Sequence, residues 1–150
     1  MNKKAQAAME FLMTYGWAIL VVLVAIGALA YFGVLNPGRY LPSSCIVAPG
    51  IGCNDHLVSS DGSATIILTN GMGVQLSGVS LRLGSFATTG TSCGTTMTDG
   101  GNCTFTWNAG TLTDVGAAQS KYKANLNFTY TPEGGVSHSK VGTLTTSVEG

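Results

Sequence analysis

The stretch Lys3–Leu35, KKAQAAMEFLMTYGWAILVVLVAIGALAYFGVL, divides this 150-residue chain into two unlike parts. From Phe11 to Leu35 there is no Asp, Glu, Lys, Arg or His. Twenty-five uncharged residues predict a helix of roughly 37 Å, longer than the hydrocarbon core of a bilayer at about 30 Å. Tyr15 and Trp17 sit near one end and Tyr31 and Phe32 near the other, where aromatic side chains meet the membrane interfaces. Lys3 and Lys4 precede the apolar run, so the positive-inside bias predicts a cytoplasmic N-terminus and an exported chain beyond Leu35.

One residue does not fit a plain anchor. Glu10 stands at the lip of the apolar run. A carboxylate near the bilayer centre costs about 2.5 to 3.5 kcal/mol on insertion scales, and less near the interface, so a purely anchoring segment gains by omitting it. A secretory signal also opens with lysines and an apolar run, and Ala28-Leu29-Ala30 is an A-x-A cleavage pattern that would release a soluble domain beginning at Tyr31. The apolar run of such a signal, however, is only about 7 to 15 residues long.

Lys3-Lys4-Ala5-Gln6-Ala7-Ala8-Met9-Glu10, followed by the long apolar helix, resembles the class III signal peptide of archaeal type IV pilin-like proteins. The resemblance covers about the first 35 residues and departs from the family pattern at Ala8, usually serine, and Thr14, usually leucine. It implies cleavage by a prepilin peptidase between Ala5 and Gln6 on the cytoplasmic side, with the helix retained. Gln6 then becomes the first mature residue and Glu10 the fifth. It further implies a precursor held in the cell membrane and taken up by a membrane assembly machinery. The product is a surface homopolymer with a role in adhesion. Archaellins, the related motility-filament subunits, begin their mature helix differently and rank second. The new amino group of Gln6 can pair with Glu10 of a neighbouring subunit, and because a broken buried pair leaves an uncompensated charge, such a contact sets register even when its net stabilisation is small.

The resulting organisation is a leader over residues 1–5, a membrane-spanning and filament-core helix over 6–35, a neck over 36–44 and an extracellular β-domain over 45–150. The helix is apolar on every face, and Asn36-Pro37-Gly38 is expected to end it. Beyond Pro37 the chain is rich in Ser, Thr and Gly and poor in charge, which favours strands and turns. Ala64–Thr69 reads as a strand, Asn70-Gly71-Met72-Gly73 as a turn, and Val74–Leu83 as its hairpin partner with a bulge at Gly78. Cys103, Phe105 and Trp107 alternate with threonines, and Tyr122, Ala124, Leu126, Phe128 and Tyr130 alternate with polar residues. Thr131-Pro132-Glu133-Gly134-Gly135 turns the chain into a last strand or pair of strands reaching Val148. The fold class is therefore α+β, a long apolar helix before a small all-β sandwich or barrel whose core holds the aromatics.

All four cysteines lie in the exported part, which suits an oxidising compartment. Three pairings are open, and local bridges, Cys45 with Cys53 and Cys93 with Cys103, are the expectation. Each closes a loop of roughly ten residues and adds about 2 to 3 kcal/mol on the chain-entropy model. Seven and nine intervening residues match no common zinc knuckle, and both histidines lie outside the cysteine loops. No metal and no cofactor are expected. Asn102-Cys103-Thr104 and Asn127-Phe128-Thr129 are N-glycosylation sequons.

Other functional classes find little footing. A formal charge of zero with scattered basic residues argues against nucleic acid. Gly90-Thr91-Ser92-Cys93-Gly94 matches the G-x-S-x-G pattern of a hydrolase nucleophile, yet lies in a Gly/Thr-rich stretch beside a cysteine rather than between a strand and a helix. His56 beside Asp55, and His138 among serines, are expected at the surface. An enzyme is not expected. A monomeric membrane-anchored extracellular binding module is the alternative from a different class.

Overall fold

The structure is a computed structural model describing residues 3–33, 42–118 and 120–150, and the chain forms two compact units, Met1–Leu41 and Pro42–Gly150. The first contains helix α1, Lys3–Tyr31. Phe32 N–H still reaches the Ala28 carbonyl at 2.9 Å, but Gly33 N–H turns back to Ala30 at 3.1 Å and Gly33 adopts a φ of 70°. That tightened, left-handed exit is open to glycine at low cost. The helix thus stops four residues before the expected Leu35. Residues 34–41, including Asn36-Pro37-Gly38 and most of the expected neck, lie outside the described residues.

The second unit is a curled sheet of nine strands, so the α+β class holds. In chain order these are β1 Ser44–Ile46, β2 Ile51–Ser59, β3 Ala64–Asn70, β4 Leu76–Leu83, β5 Phe86–Ala87, β6 Gly90–Thr91, β7 Asn102–Trp107, β8 Lys121–Pro132 and β9 His138–Glu149. The spatial order is β5-β4-β8-β9-β2-β3-β7-β6, with β1 also paired to β9. Two largely antiparallel halves meet where β2 runs parallel to the end of β9, Val58 opposite Val148 and Ser59 opposite Glu149. β1 begins at Ser44, the last residue of the expected neck.

The alternation read from the sequence gives the core. Ile66 and Leu68 of β3, Phe105 and Trp107 of β7, and Leu126 and Phe128 of β8 are all buried. Phe105 meets Phe128 edge to face, with ring centroids 6.5 Å apart, so the two halves pack face to face as in a sandwich. Trp107 Nε1–H donates to the Phe86 carbonyl across the two halves at 3.3 Å. Tyr122 donates its hydroxyl to Asp114 Oδ1 at 3.1 Å. Burial, then the Asp114 charge and this hydrogen bond, push Tyr122 well above the usual phenol range, keeping it a donor.

The expected hairpin between β3 and β4 does not form. β3 pairs with β2 and β7, whereas β4 pairs with β5 and β8 in the opposite half. The reason is Asn70, which is buried rather than placed at a solvent turn. Its Nδ2 donates to the carbonyls of Val74 (2.8 Å), Met97 (3.3 Å) and Thr98 (3.1 Å), and its Oδ1 accepts the Met72 N–H at 3.0 Å. Residues 71–75 wrap around this amide and carry the chain across the core. The bulge at Gly78 is present: the β4–β8 register shifts between Ser77 and Ser80, and Gly78 has a φ of 59°. It brings Leu76 and Val79, three residues apart, to the same inner face.

Cys45 is bonded to Cys53 and Cys93 to Cys103, with Cα–Cα distances of 5.9 and 5.3 Å. The first bond links β1, on one half, to β2, on the other. Near it the backbones of β1 and β9 approach so closely that a Cβ on Gly142 would collide with Ile46 and Val47.

Two substitutions test this packing. Asn70→Ala strips several buried backbone groups of their partner and is expected to cost about 3 kcal/mol. Asn70→Asp is expected to cost more, because a carboxylate would face three carbonyl oxygens. Urea unfolding followed by near-UV circular dichroism reads both, and wild-type stability in either contradicts the assignment. Gly142→Ala, by the same measurement, is expected to lose roughly 2 kcal/mol or more, because backbone rather than side chain must move.

Candidate functional site

α1 contains the residues singled out for processing and assembly. Its 29 residues are long and apolar enough to cross a membrane, and none is buried. Phe11, Leu12, Met13, Trp17, Leu20, Leu23 and Leu29 are all exposed, so apolar surface runs right round the helix. Phe11 and Tyr15 contact one another, ring centroids 4.9 Å apart, and with Ala18, Ile19, Val22 and Leu23 they line a shallow apolar groove on one face of the helix. An uncovered surface of this kind calls for lipid or other apolar helices.

Ala5 and Gln6 both lie within α1, in a helix that already includes Lys3 and Lys4. Gln6 and Glu10 are four residues apart, so their side chains share a face one turn from each other. Thr14 Oγ1 donates back to the Glu10 carbonyl at 2.8 Å. This bond satisfies the hydroxyl hydrogen inside the helix, so Thr14 adds little polarity to an otherwise apolar surface. The Glu10 carboxylate is exposed and, among the described residues, has no hydrogen-bond or ion-pair partner.

The sequons occupy different settings. Asn127 lies on the outward phase of β8, half-exposed, between Arg82 of β4 and Val141 of β9. Asn102 opens β7, and its Oδ1 accepts the Thr69 hydroxyl and the Asn54 amide. Cys103, the middle residue of that sequon, is fully buried and disulfide-bonded.

The G-x-S-x-G match starts on β6, and among the described residues no helix follows it. Ser92 Oγ accepts the Thr104 N–H at 2.9 Å, which ties the serine to β7. Nothing in this arrangement activates the hydroxyl as a nucleophile.

His56 and His138, expected at the surface, are both partly exposed. His138 packs on Tyr130 with centroids 5.6 Å apart. His56 comes close to the Cys45–Cys53 bond, so that one ring nitrogen and the two sulfurs lie within 4.8 Å of one another. Sequence spacing gave no sign of this, because Cys45 reaches the group from another strand. A shallow cleft of about 170 Å³, lined by Asp55, His56, Leu57, Thr65 and Ile67, is smaller than the usual 300 to 1,000 Å³ of small-molecule sites, by roughly half or more.

No protein-family model matches the chain, and no curated protein and no solved structure matches it significantly.

Proposed function

We propose that the chain is a structural subunit of an archaeal type IV pilus-like surface filament, assembled through α1 and adhesive through its β-domain. The observation that carries this reading is an all-round apolar helix, none of whose residues is buried, with one acid as the fifth residue after the expected cleavage point. Before processing, Lys3 and Lys4 hold the N-terminus in the cytoplasm and α1 lies in the membrane. A prepilin peptidase cuts between Ala5 and Gln6, and removing the lysines leaves a helix whose surface suits lipid and neighbouring helices equally. Apolar packing drives association, and the amine of Gln6 meets Glu10 of the next subunit, which sets the axial register. The β-domain, outside the membrane, forms the filament surface. Its disulfides suit that compartment. No catalytic role is assigned to it.

Sequencing the mature N-terminus tests processing: the chain is expected to begin at Gln6, and a start at Tyr31 would replace this reading with a secreted soluble domain. Glu10→Gln is expected to insert normally but to lose most surface filaments by electron microscopy. Wild-type filament yield would remove the pairing role, and detergent-soluble monomer alone from the wild-type chain would favour an anchored binding module. Of the two sequons Asn127 is the better acceptor, since its amide has no partner among the described residues. Asn127→Gln is expected to remove more glycan mass than Asn102→Gln, and the reverse order by intact-protein mass spectrometry would reject that choice.

A further inference from the structure

The half-buried group Cys45, Cys53 and His56 has no part in the proposed assembly, and it sets an imidazole beside the two bonded sulfurs of a disulfide. On a regular strand, residues three apart point to opposite faces. In β2 the register against β3 shifts between Cys53 and Asp55, so Asn54 is an extra residue and the alternation is reset. Cys53 stands opposite Leu68 and His56 opposite Ile66, both buried residues of β3, so Cys53 and His56 come to share the inner face. Cys45 arrives on the inner face of β1, opposite the buried Leu144. The three converge at the junction of the two sheet halves, half-exposed, with their candidate ligand atoms within 4.8 Å of one another. The Asp55 carboxylate caps the backbone N–H of His56 at 2.8 Å, which fixes the strand at this point. Among the described residues no other group of Cys, His, Asp and Glu converges in this way, and Cys93–Cys103 has no such histidine.

We infer that, when the Cys45–Cys53 bond is reduced, Cys45, Cys53 and His56 bind one thiophilic d10 cation such as Zn²⁺, which then staples β1 to β2 in place of the disulfide. Two thiolates and an imidazole are the ligand types such a cation prefers, and a fourth, tetrahedral position stays open to water. The Cys53-x-x-His56 chelate closes within one strand, and Cys45 brings the second strand. The chemistry has two steps. A dithiol or phosphine reductant supplies two electrons, the S–S bond breaks and two thiols form. A dithiol gives up its two thiol hydrogens and becomes a cyclic disulfide, whereas a phosphine becomes its oxide, with one water supplying the oxygen and the two protons. The cation then displaces one proton from each thiol and binds neutral His56. The domain thereby keeps a covalent or coordinate link between its halves in oxidising and in reducing surroundings. This inference does not depend on filament formation.

The test uses the full chain in detergent, reduced with a phosphine under anaerobic conditions and titrated with Co²⁺ as a spectroscopic stand-in for Zn²⁺. The reduced protein is expected to take one equivalent with a thiolate-to-cobalt charge-transfer band, which Zn²⁺ displaces, and the oxidised protein to show none. His56→Ala is expected to weaken Zn²⁺ binding by about ten-fold or more while keeping the native near-UV circular dichroism. The Cys45→Ser/Cys53→Ser pair is expected to abolish the band. The inference is overturned by the absence of the band in reduced protein, by unchanged affinity in His56→Ala, or by binding that survives loss of Cys45 and Cys53. It is also overturned if reduction unfolds the domain and Zn²⁺ does not restore it.

Discussion

The apolar circumference of α1 must be removed from water, and no residue of the helix is buried in the chain itself. A helix with one apolar stripe can lie on its own domain, but one that is apolar all round needs a medium or neighbours on every side. Lipid supplies that environment to a single chain, and other copies of α1 supply it to an assembly. The same surface would serve both, so the proposed passage from membrane to polymer requires no change in the fold of the helix. In the proposed account Glu10 is the exception that gives this passage direction. It is tolerable near a membrane interface, costly deeper inside, and least costly when paired with a positive charge. In the proposed account that charge is an amine created by proteolysis, so processing and assembly are chemically linked.

The β-domain has a different problem. About 109 residues from Pro42 to Gly150 make a small core, and small cores depend on staples. The two halves are held by facing aromatics, by the parallel junction of β2 and β9, and by the Cys45–Cys53 bond that ties β1 to β2. Asn70 adds a polar fixture inside the core, satisfying backbone groups of two separate loops. Because a buried amide is tolerable only when fully bonded, it also fixes how those loops run.

What could be read from the residues alone follows from how local each signal was. α1 was legible because an uncharged run that long has few alternatives, and β3, β7 and β8 were legible because inward and outward residues alternate without interruption. β2 was not, since Gly52-Cys53-Asn54-Asp55-His56 contains a bulge that breaks the alternation by which strands are recognised. The bulge in β4 was recognised because a glycine stood where the apolar phase changed. The hairpin expectation failed because Asn-Gly is a turn signal for a solvent-exposed asparagine, whereas Asn70 is buried. The roles of Gln6 and Glu10 rest on their order with the lysines and the apolar run, and they belong to the proposed account. The meeting of His56 with Cys45 and Cys53 was illegible, being made by strand pairing between residues whose spacing matches no motif.

The most direct test of the central claim is electron cryo-microscopy of filaments sheared from expressing cells, at a resolution that shows side chains. The account predicts a core of bundled α1 helices beginning at Gln6, β-domains on the outside, and the Gln6 amine within ion-pair distance of Glu10 in a neighbouring subunit. Filaments built on contacts between β-domains, with α1 absent from the core, would contradict it.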